Sequence, residues 1–212
     1  RSERVITPTV ETEIPAIVTH RLFKEINQEE ARSIFASYMR TYNELFEKNA
    51  DLPVRCKNPE YEKEFYQSYP FHPELLTTLN RKTSTIPNFN QTRGALRLLA
   101  WTVRNLWSMR PNNTWVIHLH DIDLGDQQIA EDLTSRLDRP HFKQVIEADI
   151  TSLLPGTLSH SQEIDNSLAL SNKPPYANQL SSTIFINSLT QGIANGVSPS
   201  DLLLAVVKPT DD

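Results

Sequence analysis

The chain has 212 residues, with 21 Lys and Arg against 26 Asp and Glu, a formal net charge of −5. That length suits one large or two small domains, and the acidic balance excludes a nucleic-acid-binding polycation as a description of the whole chain. One cysteine, Cys56, rules out an internal disulfide framework and a cysteine zinc site, and no apolar run approaches the ~18 residues of a membrane span.

The 14 prolines against 5 glycines point to helices punctuated by prolines rather than to a glycine-turned β fold. The sequence opens Arg1-Ser-Glu-Arg4, without an initiating Met or an apolar stretch behind it. No signal peptide is read, and a piece of a longer, cytoplasmic protein is expected.

In chain order, residues 1–10 are polar and extended, broken at Thr7-Pro8. Glu11 to Phe23 reads as a helix with Ile14, Ile17, Val18 and Leu22 on one side and Pro15 in its tolerant first turn. Asn27 is an N-cap with Glu30 at the third helical position, and the helix behind it runs to about Lys48. Its stripe is Ala31, Ile34, Phe35, Tyr38, Tyr42, Leu45 and Phe46. A loop from Ala50 leads to Pro59, which starts a helix to about Tyr69; Pro70 and Pro73 then bracket Phe71-His72 as a rigid elbow. A short helix begins at His72-Pro73-Glu74.

The next helix, Gln91 to Trp107 or slightly beyond, organises the rest. Leu96, Leu99, Ala100, Val103 and Leu106 recur at three- and four-residue steps, with Thr92 as a candidate N-cap. Arg93, Arg97 and Arg104 fall in a narrow sector beside that apolar face. Such a stripe suits carboxylates or phosphates. Trp115 to Leu119 is β-branched and aromatic and reads as a short strand. Helices are then expected from Asp126 to Leu137, after Pro140 with Val145, Ile146 and Ile150, weakly from Gln162 to Leu170, from Tyr176 to Leu189, and from Ser200 to Val206.

Four groups of residues carry candidate chemistry. Arg97 and Arg93 could sense a phosphate, the bland alternative being surface pairs with nearby acids worth ~0–1 kcal/mol each. His118 and His120, on one face of the expected strand and followed by Asp121 and Asp123, have the residue types of a metal site; the alternative, which we prefer, is a polar strand end with Asp123 capping the next element. His72, between prolines, could act as a base, but its ring is expected to satisfy a backbone carbonyl and fix the elbow. Trp101, Trp107 and Trp115 could stack bases, but are expected in the core or at a domain interface. No Gly-x-x-x-x-Gly-Lys-Ser/Thr segment and no Walker B strand occur, so catalysis of ATP hydrolysis by this sequence alone is not expected.

Gly94-x-x-Arg97 resembles the sensor 2 motif of AAA+ ATPases. The wider arrangement, Tyr69-Pro-Phe-His-Pro-Glu-Leu75, then Pro87-Asn-Phe89, then Gln91 to Ala100, is similar to the DUF499 family of predicted AAA+ superfamily ATPases. Thr7-Pro8, Arg21-Leu-Phe23 and Ile122-Asp-Leu124 add to the likeness, which covers most of residues 1–150 and thins afterwards. The resemblance implies a mainly α protein: an AAA+ lid-like helical bundle at residues 1–110, then a second helical, winged-helix-like unit with one or two short strands at 111–212. It implies nucleotide sensing by Arg97, with Arg93 as second candidate, and structural roles in the lid for Tyr69, Phe71, His72 and Gly94. ATP and Mg would be bound mainly by a nucleotide domain outside this sequence. The implied partners are that large domain, in the same chain or a neighbouring subunit of an oligomer, and DNA or a DNA-acting complex; some members are encoded beside phage-defence genes. The competing reading is a non-catalytic helical interaction module whose arginines bind an acidic protein partner or a phosphate backbone.

Overall fold

The computed structural model describes residues 14–83, 91–111, 114–135, 141–189 and 196–209. Within them the chain forms α1 (Ile14–Leu22), α2 (Gln28–Glu47), α3 (Pro59–Ser68), α4 (Pro73–Thr83), α5 (Gln91–Met109), α6 (Gln127–Ser135), α7 (His141–Val145), α8 (His160–Ala169), α9 (Tyr176–Ser188) and α10 (Pro199–Val206). Short 3-10 turns at Val54–Lys57 and Leu119–Asp121 and a π-turn at Ile146–Ile150 complete the described elements. The mainly helical architecture matches the sequence reading.

Several starts are set by local chemistry that the sequence announces. The Asn27 side chain accepts from the N–H groups of Glu29 and Glu30, satisfying two otherwise unpaired donors at the start of α2. Ser159 and Gln162 form a reciprocal capping box at α8, and Ser198 accepts from the N–H of Asp201 at α10 behind Pro199. Asp126, not Asp123, caps α6, accepting from Gln128 N–H at 2.8 Å and Ile129 N–H at 3.2 Å. Asp123 instead closes a turn on Gly125 N–H at 2.9 Å.

The strand expected at 115–119 does not form, and no sheet occurs among the described residues. A single parallel bridge joins Phe71 to Ile117, with His72 N–H donating to the Ile117 carbonyl at 2.9 Å and Ile117 N–H to the Pro70 carbonyl at 2.8 Å. The β-branched run is used as a buried strap: Val116 to His120 are all buried. An extended segment with no second strand beside it cannot propagate a ladder, and the chain tightens into the Leu119–Asp121 turn. The one or two short strands expected in the second unit are not seen among the described residues.

Two apolar clusters hold the fold. One gathers Leu75, Leu98, Leu99, Ile122, Ile129, Ile146, Ile150 and Phe185; the other gathers Ala31, Tyr38, Tyr42, Phe65, Tyr69, Val116 and Leu204. Both draw on residues from either side of position 110. The buried ridge of α5 is Ala95, Leu98, Leu99 and Thr102, with Leu96, Trp101, Val103 and Leu106 only partly covered and Ala100 exposed. The apolar face is therefore rotated from the one read in the sequence. Thr102 made it look polar, but its hydroxyl donates to the Leu98 carbonyl at 3.0 Å and can be buried at little cost. The helix also starts at Gln91, so Thr92 lies within its first turn and is not the N-cap.

Candidate functional site

The elbow after α3 joins the two clusters. Tyr69 packs in the cluster with α2 and Phe71 in the other, against Phe23 at 5.7 Å between ring centroids. His72 follows, fully buried, and the strap brings His118 and His120 alongside it. The three imidazoles form a continuous pile: His72 on His118 at 4.5 Å and 21°, His118 on His120 at 5.1 Å and 25°. Tyr38 flanks His118 at 5.8 Å and 24°.

Hydrogen bonds fix two of the tautomers. His72 Nδ1 accepts from Glu74 N–H at 3.3 Å, so the neutral ring carries its proton on Nε2 and donates to the Tyr42 hydroxyl at 3.1 Å. The expected carbonyl partner of His72 is thus a backbone N–H and a tyrosine. His118 Nδ1–H donates to the Ala205 carbonyl at 2.8 Å, leaving Nε2 to accept from the Tyr38 hydroxyl at 2.6 Å. Helix α10 thereby closes over the pile, and the Arg55 guanidinium holds that helix to α4, bonding Glu74 at 3.0 Å and Asp201 at 2.7 Å. His120 is different: among the described residues neither of its buried ring nitrogens has a hydrogen-bond partner.

Burial keeps the pile neutral, although Asp121 Oδ1 lies 3.9 Å from His120 Nε2. Desolvation, helped by the Lys208 charge, lowers His72 to about 3. Desolvation and the neighbouring imidazoles hold His118 well below its usual value, and desolvation with Lys208 does the same for His120. Asp121 is raised by burial, against the pull of Lys208 at 3.6 Å and the His118 N–H at 2.7 Å.

Stacked rings keep their lone pairs in near-parallel planes, away from a common point between the rings, and both nitrogens of His118 are in use. Among the described residues no group of three or more His, Cys, Asp or Glu is arranged to hold a metal ion. Cys56 is buried and free.

The arginine stripe lies elsewhere, along the contact of α5 with α6. Arg97 Nη2 donates to Asp132 Oδ1 at 2.6 Å, and its guanidinium sits over the Trp101 ring at 5.5 Å. That side chain is 38% exposed, while its Nε is buried without a hydrogen-bond partner. Arg104 reaches Asp126 at 3.5 Å. Arg93 is exposed and Gly94 is buried. Trp107 and Trp115 are not core residues: they are 74% and 45% exposed, and Trp101 alone of the three packs on the core.

Residues 9–201 match the family described as the DUF499 second domain. The chain belongs to that family. The match extends some fifty residues past the stretch on which the sequence likeness rests, into α8 and α9 and to the start of α10. No curated protein and no solved structure matches the chain.

The two candidate regions of this DUF499 domain are thus apart: the histidine pile is internal, and the arginine edge faces outward. No helix among the described residues of the DUF499 domain is long and apolar enough to cross a membrane. Sequence reasoning missed Tyr38, Tyr42 and Asp132. The tyrosines, four residues apart on the α2 stripe, were counted as apolar, yet a buried hydroxyl demands a partner. Asp132 carried no signal beyond its charge, since only the fold brings α6 against α5.

Proposed function

We propose that this DUF499 domain is a non-catalytic, nucleotide-sensing and interaction region of an AAA+ ATPase, in which Arg97 answers to the γ-phosphate of ATP held by a separate nucleotide domain. The observation that supports the reading is the state of Arg97. It is partly exposed, makes one charge-assisted bond to Asp132, and leaves Nε without an acceptor. A guanidinium has five N–H donors, and one so incompletely used can exchange a carboxylate oxygen for a phosphate oxygen by a rotamer change. Asp132 would hold it in the absence of nucleotide.

In this reading ATP and Mg sit mainly on the nucleotide domain, of the same chain or of a neighbouring subunit in an oligomer. Arg93, exposed one turn earlier on α5, is the second candidate for the phosphate. The Tyr69 to His72 elbow and Gly94 set the bearing of α5. ATP-driven movement of DNA or of a DNA-acting complex is the corresponding task of the whole ATPase.

The test is ATP turnover by the ATPase that carries this domain, with Arg97→Ala. Sensing predicts a fall of roughly 10²-fold or more with an unchanged circular dichroism spectrum. Wild-type turnover would remove the reading. It would leave the alternative, a helical interaction module. That alternative draws on the pairing of Arg97 with Asp132 of α6 and of Arg104 with its cap Asp126, and on the exposed Trp107 and Met109, at 74% and 62%.

A further inference from the structure

A cavity of about 260 Å³ opens between the last turn of α5, the strap at 114–125 and α9. Leu106 and Ile150 give it an apolar floor, while Asp121, Asp123, Gln179 and His120 stand in its wall. Among the described residues, no Lys or Arg lines it.

The wall is rich in acceptors and poor in charged donors. Asp123 spends one oxygen on the Gly125 N–H, and among the described residues no donor meets the other. His120 also borders the cavity, but both of its ring nitrogens are buried out of a guest's reach and contribute nothing to binding. Lys208 offsets one carboxylate, Asp121, at 3.6 Å, and among the described residues no cation pairs with the second. Two carboxylates with no lining Lys or Arg disfavour an anion and suit a guest with several N–H donors. Guanidinium is that group, five donors in a planar fork, and the apolar floor suits the methylene stem behind it.

We propose that this cavity binds a guanidinium group carried on a short aliphatic stem, supplied either by a small free guanidine or by an arginine side chain of a protein partner. The site is independent of the ATP-sensing reading, because it shares no residue with the Arg97 edge and its charge repels phosphate.

The test is titration of the ¹⁵N-labelled chain, followed by NMR, with agmatine, with N-acetyl-arginine-N-methylamide and with N-acetyl-aspartate. Saturable shifts at the Gln179 and Ser182 amides are expected with the guanidines and not with the anion. Asp123→Asn keeps the oxygen that closes the Gly125 turn, so it should preserve the spectrum while weakening binding at least about tenfold. Tighter binding of agmatine assigns the site to a free ligand, and tighter binding of the blocked arginine assigns it to a protein-borne one; either supports the proposal. No saturation by either guanidine up to about 10 mM, equal binding of N-acetyl-aspartate, or undiminished affinity in Asp123→Asn would overturn it.

Discussion

His72 and His118 stack at 4.5 Å with their planes 21° apart, and neither imidazole touches solvent. Two like cations cannot share that position, so the pile exists only while the rings are neutral. In the unfolded chain each histidine takes a proton near its ordinary value of about 6.5. In the fold His72 resists until about 3, with His118 and His120 also depressed. Between those limits the unfolded state binds more protons, so stability is fully present above about pH 6.5 and is lost as pH falls.

The expected slope approaches about 1.4 kcal/mol per pH unit for each ring. Between pH 7.5 and 5.5 the three together should remove up to about 4 kcal/mol. Glu74 and Asp121, both raised by burial, act in the opposite sense and reduce the net loss. Urea unfolding at the two pH values reads the difference directly. An unchanged midpoint would mean that the rings are not held neutral in the fold.

The Tyr38 hydroxyl donates to His118 Nε2 at 2.6 Å, and burial raises Tyr38 far above a phenol's usual range. Tyr38→Phe removes one oxygen and leaves His118 with an acceptor that water cannot reach. The expected loss is about 1–3 kcal/mol, more than an exposed tyrosine would give. Tyr42→Phe should cost a similar amount, because it strands the His72 Nε2–H. Chemical denaturation of both variants checks this; a loss below about 0.5 kcal/mol in both would show that the hydroxyls are not the partners that fix the tautomers.

How much of this was legible in the sequence depends on the range of the interaction. Caps and proline punctuation act over a few residues, and they placed α2 at Asn27, α3 at Pro59 and α10 at Pro199 within a residue or two. The run Trp115 to Leu119 misled, because its β propensity describes a segment that fits a half-buried extended surface, and the fold supplies that surface from helices. The face of α5 was read one position out because Thr102 satisfies itself on its own helix. The histidine pile joins residues 72, 118 and 120 with Tyr38, Tyr42 and Ala205, partners 30 to 87 positions apart. The two-residue spacing put His118 and His120 on one face, but nothing in the sequence brings His72, Tyr38, Tyr42 or Ala205 to them. The elbow at His72 was visible as rigid; what it was rigid for was not.

The Arg97–Asp132 pair has unequal members: the arginine side chain is 38% exposed and the aspartate 10%. Solvent screens the arginine's side, so the coupling in a double-mutant cycle of Arg97→Ala and Asp132→Ala should be about 0.5–1 kcal/mol, falling as salt is raised from about 0.1 to 1 M. The size matters for function. A weak pair can be exchanged for a phosphate, whose charge-assisted bonds are at least as strong. A coupling above about 2 kcal/mol that ignores salt would instead make Arg97 a structural strut of the α5–α6 contact, and the sensing role would then have to pass to Arg93 or be given up.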